Sequence, residues 1–130
     1  MSYTICNLRD VDDVAPQAGL QEVQEARFAR EKLAAERTGL AYHVIRPGRR
    51  QRFGHRHREA EEIFVVISGS GRVALDGEVR EIGPLDAIRV APAVLRAFEA
   101  GPDGLELIAF GPHHERDGEM VHEGFWPEGG

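Results

Sequence analysis

The chain has 130 residues, a formal net charge of −6 and 42% hydrophobic residues, which predicts one domain with a core of useful size. The acidic balance argues against a general nucleic-acid-binding protein, which would present a basic face. Cys6 is the only cysteine, and this excludes a disulfide framework and a cysteine zinc site.

The same features indicate a cytoplasmic protein. A single cysteine is typical of a reducing compartment. The first residues lack the basic stretch and apolar run of a secretory signal. No segment approaches the length of a membrane span. We therefore expect neither a membrane nor a nucleic acid as a partner.

The first third of the chain gives a mixed signal. Residues 1–19 begin with a short extended stretch around Tyr3 and Ile5 and continue into an acidic patch broken by proline and glycine. Residues 20–36 are rich in helix formers, but their apolar residues are too sparse for a wide helical stripe. The pattern leaves this segment undecided, with an early strand somewhere inside it.

From Gly39 onward the pattern predicts short strands separated by turns. Asp76-Gly77 is a dipeptide favoured in two-residue hairpins, and further turns are expected at Ser68–Gly71 and Gly101–Gly104. Short strands at this spacing predict an all-β sandwich or barrel. The expected strands lie at 40–46, 62–67, 73–75, 79–82, 85–90, 94–99 and 105–110.

The tail after Gly111 differs in composition from the strands before it. It is polar apart from Phe125 and Trp126, and these two residues predict an aromatic anchor that ties the tail to the barrel or to a partner chain. His113 and His114 follow the last core strand, so we expect them at the surface.

The stretch from His55 to Gly69 carries the strongest functional signal. His55 and His57 point to the same face if the backbone is extended. Glu62 opens an apolar run and can join them if the chain bends back. Imidazole and carboxylate donors on one wall suit a divalent metal such as iron, manganese, nickel or zinc. The alternative is a pair of unrelated surface histidines.

A basic run overlaps this stretch. Six arginines and no acidic residue lie between Arg46 and Arg58, counting both ends. The run is either a solvated loop or an entrance that attracts an anionic small molecule.

One set of five residues resembles the first motif of the cupin family, in which a glycine, an H-x-H pair, a glutamate and a second glycine follow in order. The spacing between the glutamate and the second glycine matches that motif, whereas the first glycine lies one residue further from the H-x-H pair than is usual. The set is Gly48, His55, His57, Glu62 and Gly69.

The second cupin motif is matched only in part, within residues 86–98. Ala93 stands where the family has glycine, and Arg96 stands where the fourth metal ligand, a histidine, is expected. A guanidinium has no lone pair to donate to a metal. Either the H-x-H pair and Glu62 hold a metal while Arg96 binds a ligand carboxylate beside it, or Arg96 pairs with Glu62 in place of the ion.

The resemblance covers about residues 40–110 and implies a double-stranded β-helix, or jelly-roll barrel, within a single domain spanning 1–130. It also implies a site inside the barrel and, often, a homodimer. We expect the N-terminal segment or the aromatic tail to contribute to the dimer interface, because open sheet edges need to be covered.

Two more residues are candidates for ligand binding. His43 lies on the strand before the H-x-H pair and either faces the site or is a satisfied histidine inside the barrel. Phe98 is the other candidate, although it could instead help Val73 and Leu75 to fill the barrel. No phosphate loop is present, so we expect no nucleotide cofactor.

Three functions are consistent with these residues. The first is binding of a small, anionic metabolite in the barrel, with or without a divalent metal. The second is a metal-dependent enzyme of the dioxygenase or isomerase type. The third is a non-catalytic interaction or storage module with a filled barrel. The cupin fold serves many activities and does not choose among them.

Overall fold

The computed structural model describes residues 2–127, which form mainly antiparallel β-strands. Three helical segments of three or four residues accompany them: Leu8–Asp10, Pro16–Ala18 and α1, Arg30–Leu33. Residues 2–127 contain no helix with the length and hydrophobicity needed to cross a bilayer. The strands are β1 (Gln24–Phe28), β2 (Thr38–Ile45), β3 (Gly54–His57), β4 (Glu62–Leu75), β5 (Glu78–Ile82), β6 (Ala87–Val90), β7 (Arg96–Pro112) and β8 (Gly118–Val121).

The two longest strands, β4 and β7, organise the sheet. They pair with each other along most of their length. β7 also pairs with β2 and β3, and β4 also pairs with β5 and β6. β1 and β8 extend the sheet beyond β2 and β3. The sheet therefore curls into a barrel, and the prediction of an all-β fold is confirmed.

The barrel is filled at one end by apolar side chains from β2, β4 and β7. The rings of Phe64 and Phe98 meet with centroids 4.8 Å apart, and both residues are almost fully buried. Ile45, Val73 and Leu107 pack in the same cluster. Each side chain of this size contributes about 1.5–3 kcal/mol when it is fully buried. This core leaves the other end of the barrel to the polar residues.

Two local predictions are confirmed. Asp76 and Gly77 both have positive φ angles, 50° and 82°, and join β4 to β5 as a two-residue hairpin. The undecided segment 20–36 does contain a strand, β1, followed by the single helical turn of α1.

The turns predicted at Ser68–Gly71 and Gly101–Gly104 are wrong, because the chain does not reverse at either place. β4 and β7 run through both segments, with shifts of register between them. A Cβ atom on Gly69 would lie 2.0 Å from the carbonyl oxygen of Gly104. The glycines therefore allow two backbones to approach closely at a bulge. As a consequence, the strands predicted at 94–99 and 105–110 form one strand, β7.

Gly69→Ala should destabilise the fold much more than Gly77→Ala. Both residues have φ near +80°, but a Cβ atom on Gly77 would meet no atom within 4 Å, whereas one on Gly69 would meet backbone. The positive φ alone costs about 1–2 kcal/mol. The clash should raise the total for Gly69→Ala to about 3–4 kcal/mol. Urea unfolding of the two variants measures the difference, and equal losses would contradict the close approach.

The C-terminal tail returns to its own barrel. Phe125 and Trp126 are only 6% and 4% exposed and pack against Ala74 and Ala97. The guanidinium of Arg50 lies 4.2 Å above the centre of the Trp126 ring. The predicted aromatic anchor is thus attached to the barrel of its own chain. Before it reaches this anchor, the tail forms β8, which pairs with β3.

Tyr42 lies on the outer face of the sheet and is 7% exposed. Its hydroxyl donates a hydrogen bond to the carboxylate of Glu106, which also accepts one from the hydroxyl of Ser68. Burial, together with the hydrogen bond and the charge of Glu106, raises the pKa of Tyr42 to about 12.

Tyr42→Phe should remove an alkaline dependence of stability. Because the folded-state pKa of Tyr42 is raised, its protonated hydroxyl contributes fully to the free energy of unfolding below about pH 10, which is the pKa of an unfolded tyrosine. The contribution is lost as the pH rises towards 12. The free energy of unfolding, measured across this range, should fall less steeply in the variant than in the wild type. Parallel curves would show that the proton on Tyr42 does not stabilise the fold.

Candidate metal centre and cavity

The structure brings the three predicted metal ligands together. His55 and His57 project from β3, and Glu62 is the first residue of β4. Glu62 Oε1 lies 3.2 Å from His55 Nε2 and 3.6 Å from His57 Nε2. Potential ligand atoms of the three residues all lie within 4.8 Å of one another. The alternation of an extended strand therefore places both histidines on one wall.

The donor set fits a divalent metal. Within the described residues, both buried ring nitrogens of His57 lack a hydrogen-bond partner. A buried polar atom without a partner is costly, and a cation bound at Nε2 would satisfy it. Two imidazoles and a carboxylate suit iron, manganese, nickel or zinc. The geometry does not distinguish among these metals.

Glu62 is ionised at neutral pH. Burial raises the pKa of this carboxyl group, but the hydrogen bond with His55 and the charges of His55 and His57 outweigh that effect. They hold the pKa of Glu62 well below its usual range. The site therefore presents a carboxylate, which is the form that binds a cation.

Arg96 faces the interior of the barrel. It is paired directly with His55 in the register of β7 and β3, so the two side chains lie on the same face. The side chain is fully buried, and its Nη1 atom lies 3.6 Å from Glu62 Oε1. Its Nη2 atom donates a hydrogen bond to the carbonyl of Ala91, at 2.9 Å.

The guanidinium of Arg96 keeps unused donors. Within the described residues, its Nε and Nη1 atoms have no hydrogen-bond partner. Burial lowers the pKa of Arg96, while the charges of Glu62 and Asp76 oppose that change. An arginine nevertheless remains protonated in a protein. The site thus places the Arg96 guanidinium beside the Glu62 carboxylate, while its Nε and Nη1 atoms make no hydrogen bond within the described residues.

The other two candidates occupy different surroundings. The ring of His43 is half-buried, with its Nδ1 atom enclosed, and meets Phe28 edge to face, with centroids 5.8 Å apart. Burial, and next the charge of His55, lower the pKa of His43 to about 4, so it is neutral at pH 7. Phe98 lies in the hydrophobic core against Phe64. A ligand contact by either residue stays a prediction.

Asp117 is a residue of the site that the sequence did not reveal. Its carboxylate accepts hydrogen bonds from the backbone N–H groups of Arg58, Glu59 and Ala60, at 3.1, 2.8 and 3.0 Å. Its Oδ2 atom also lies 3.2 Å from His57 Nδ1. Asp117 therefore fixes the loop that connects the H-x-H pair to Glu62. An isolated Asp-Gly in a polar tail resembles an ordinary turn, so no sequence signal marks this role.

Asp117→Asn should destabilise the protein by about 2–3 kcal/mol, because hydrogen bonds to a charged acceptor are worth about 1.5–3 kcal/mol each. Although burial raises the pKa of Asp117, its backbone hydrogen bonds lower it below the usual value. The difference in stability between the wild type and the variant should therefore be full above about pH 4 and should vanish as the pH falls. Glu119→Gln is the matched control, since Glu119 makes only an exposed pair with Arg56. Urea unfolding at several pH values tests this, and equal effects of the two substitutions would contradict it.

A cavity of about 630 Å³ opens outward from His57 and Glu62. Its mouth carries both acidic and basic groups, including Asp10 and Lys32. His113 and His114 also lie at this mouth, the first half-buried and the second exposed. Apolar side chains form much of its wall: Val11, Val14, Phe28, Leu40 and Phe110.

The basic run does not form the entrance. None of its six arginines lies among the residues that line this cavity in the described part of the chain. Three of them pair instead with acidic residues elsewhere in the fold, so of the two alternatives for the basic run, an arginine-rich entrance is not found at this cavity. These pairs are Arg46–Glu25 at 3.9 Å, Arg50–Glu99 at 2.7 Å and Arg56–Glu119 at 2.7 Å.

The family model of the cupin domain matches residues 41–110, and the chain therefore belongs to the cupin family. Among curated proteins, none matches the sequence significantly. The match to the family runs from within β2 to within β7 and includes the candidate ligands, but it leaves out β1 and β8.

Solved structures of other cupin-like proteins share this fold. A cupin protein from Bacteroides fragilis is 21% identical with a TM-score of 0.70, and the match covers 89% of this chain and 88% of that chain. The polyketide cyclase RemF from Streptomyces resistomycificus is 20% identical with a TM-score of 0.74, covering 95% and 89%. A variant of oxalate decarboxylase from B. subtilis is 21% identical with a TM-score of 0.70, covering 91% and 33%. These likenesses confirm the jelly-roll barrel.

Proposed function

We propose that this cupin binds a divalent metal through His55, His57 and Glu62, and a small molecule in the adjoining cavity. The ligand would have an apolar body and an anionic oxygen head group. The observation that carries the proposal is the convergence of His55, His57 and Glu62 beside a cavity of about 630 Å³, which His57 and Glu62 help to line. That volume lies within the usual range for small-molecule sites.

The charge of the site supports an anionic head group. With neutral histidines, a divalent metal, Glu62 and Arg96 would together carry a net charge of about +2. A unit charge pair at about 4 Å is worth roughly 4 kcal/mol at an effective dielectric of 20. A carboxylate or enolate near the metal would reduce this repulsion and could accept hydrogen bonds from the unused N–H groups of Arg96.

The wall of the cavity supports an apolar body for the ligand. Phe28 is 57% exposed and Phe110 is 37% exposed, and both rings border the cavity. Exposed aromatic rings beside a polar centre are typical of small-molecule sites, in which a few polar groups fix the orientation. The mouth carries both acidic and basic groups, so it selects the charge of a ligand less strongly than the candidate metal site does.

Catalysis is the second candidate function. When bound, the metal would act as a Lewis acid towards a ligand oxygen. His43 favours catalysis, because it is a neutral, half-buried imidazole whose enclosed Nδ1 atom has no hydrogen-bond partner in the described chain. Such a group can accept a proton from a ligand held at the metal. A storage module with a filled barrel is less favoured, since the cavity leaves one end of the barrel open.

Calorimetric titration of manganese, nickel and zinc into the protein tests the metal site. We expect one ion per chain in the wild type and a loss of affinity of at least about 100-fold in His57→Ala, because a direct ligand matters at least as much as its supporting groups. His113→Ala is the control, since His113 lies at the mouth of the cavity and not in the triad. Absence of binding in the wild type, or equal binding in His57→Ala, would refute the proposal.

Arg96→His should raise metal affinity by more than about tenfold, which requires only about 1.4 kcal/mol. The substitution removes a buried positive charge and offers a fourth imidazole at the position opposite His55. It should also weaken the binding of carboxylate ligands, because imidazole lacks the bidentate fork of arginine.

Arg89→His is the control for this experiment, because Arg89 is exposed and pairs with Glu61. Circular dichroism should first establish that each variant is folded. The same titrations then compare the two variants with the wild type. Unchanged metal affinity in folded Arg96→His would mean that the guanidinium does not oppose the ion.

A further inference from the structure

A second cavity, of about 450 Å³, lies apart from the cavity beside the candidate metal centre, which we call the first cavity. The second cavity is lined by residues 50–52, which precede β3, and by residues 122–126, which follow β8. His57, the last residue of β3, lines the first cavity, whereas Gly54, the first residue of β3, lies close in sequence to the second. No described residue lines both cavities. The second is therefore a separate candidate site, with a volume that is usual for small-molecule binding.

One wall of the second cavity is fixed on β7. The backbone N–H of Gln51 donates a hydrogen bond to the carbonyl of Phe98, at 2.9 Å, and the side-chain Oε1 of Gln51 accepts one from the N–H of Phe98, at 3.1 Å. Arg50 forms an isolated β-bridge with Glu99, and its Nε atom also donates to the carboxylate of Glu99, at 2.7 Å. These bonds hold the wall in place without a ligand. A preorganised wall of this kind loses little entropy when a ligand binds.

The other wall of the second cavity is the end of the C-terminal tail. Phe125 and Trp126 line this wall, and both residues are buried. A Cβ atom on Gly54 would lie 3.3 Å from Cγ of Phe125, so this ring lies directly against β3. The ring of Trp126 lies beneath the guanidinium of Arg50. Both walls thus consist of packed parts of the chain, and the second cavity is built into the fold.

Arginine gives the second cavity an excess of positive charge. Its lining contains two arginines, Arg50 and Arg52, and one acidic residue, Glu123. The guanidinium of Arg50 already has partners within the fold. Arg52 is exposed, and within residues 2–127 its guanidinium makes one long hydrogen bond, from Nη1 to the carbonyl of Gly19 at 3.4 Å. No acidic side chain in that part of the chain pairs with Arg52, so its remaining donors are available to a ligand.

We propose that the second cavity binds a small anion through Arg52, a molecule whose carboxylate or phosphate oxygens accept hydrogen bonds from this guanidinium. A planar guanidinium can bind either group in a bidentate manner. Arg50 adds positive charge to the same wall, although its Nε atom is bonded to Glu99. Both arginines belong to the basic run, which thereby has a function that the first cavity does not give it. The proposal does not depend on the proposed metal site, because the two cavities share no lining residue in the described chain.

Trp126 reports on binding in the second cavity, because it is the only tryptophan of the chain and lines this cavity. Succinate and inorganic phosphate are titrated separately into the isotope-labelled whole protein, at fixed pH and ionic strength and without added metal. We expect at least one of these anions to shift the indole N–H resonance of Trp126 in a saturable manner, with a Kd below about 1 mM. The anion that binds more tightly identifies the preferred head group as a carboxylate or a phosphate.

Arg52→Gln should weaken this binding at least about tenfold, because it removes charge-assisted hydrogen bonds to the anion. Arg49→Gln is the matched control, since Arg49 is an exposed arginine of the same basic run that lines neither cavity. It removes the same charge and should change the affinity less than about twofold. Both side chains are exposed, so the circular dichroism of both variants should match that of the wild type.

Three results would overturn the proposal. The first is the absence of a saturable shift with either anion up to about 10 mM. The second is an affinity that Arg52→Gln leaves unchanged, or that Arg49→Gln weakens equally, since the loop would then act only through its general charge. The third is loss of the shift in His57→Ala, which would place the anion in the first cavity. Arg52→Gln should leave the calorimetric binding of zinc unchanged, so a failure of this proposal is distinguishable from a failure of the proposed metal site.

Discussion

One oxygen atom of Glu62 lies at the centre of the polar site in this barrel. It lies within 3.6 Å of nitrogen atoms of His55, His57 and Arg96. A buried charge is tolerated only when other groups compensate it. β3, β4 and β7 each supply one or more of these side chains. Closing the barrel therefore also brings His55, His57 and Arg96 to the buried charge of Glu62. The packing of the strands and the electrostatics of the site therefore depend on each other.

The C-terminal tail supports this arrangement although it lies outside the residues that match the family. Asp117 holds the loop between β3 and β4, and β8 covers the open edge of β3. The burial of Phe125 and Trp126 then fixes the end of the tail. The three candidate metal ligands are thus held from both sides, by the barrel strands and by the tail. Rigid support of this kind is what keeps a binding site in its working geometry.

The parts of the structure that the sequence predicted depend on local rules. Alternation along a strand placed His55 and His57 together, and the backbone preference of Asp76-Gly77 set the hairpin. Gly69 and Gly101 misled the prediction, since glycine suits both a turn and a close approach of two backbones. The partners of the basic run lie far away in sequence, as Arg50 and Glu99 do. Only the folded chain reveals such pairs, and Asp117 escaped prediction for the same reason.

The cupin fold constrains function only weakly, so the identity of the bound groups decides what this barrel does. X-ray absorption spectroscopy of the protein loaded with one equivalent of zinc or manganese tests the central claim directly, because it identifies the atoms that surround the metal. We expect scattering from two imidazole rings together with oxygen from a carboxylate. A spectrum without imidazole scattering would contradict it, since His55 and His57 would then take no part in holding the ion.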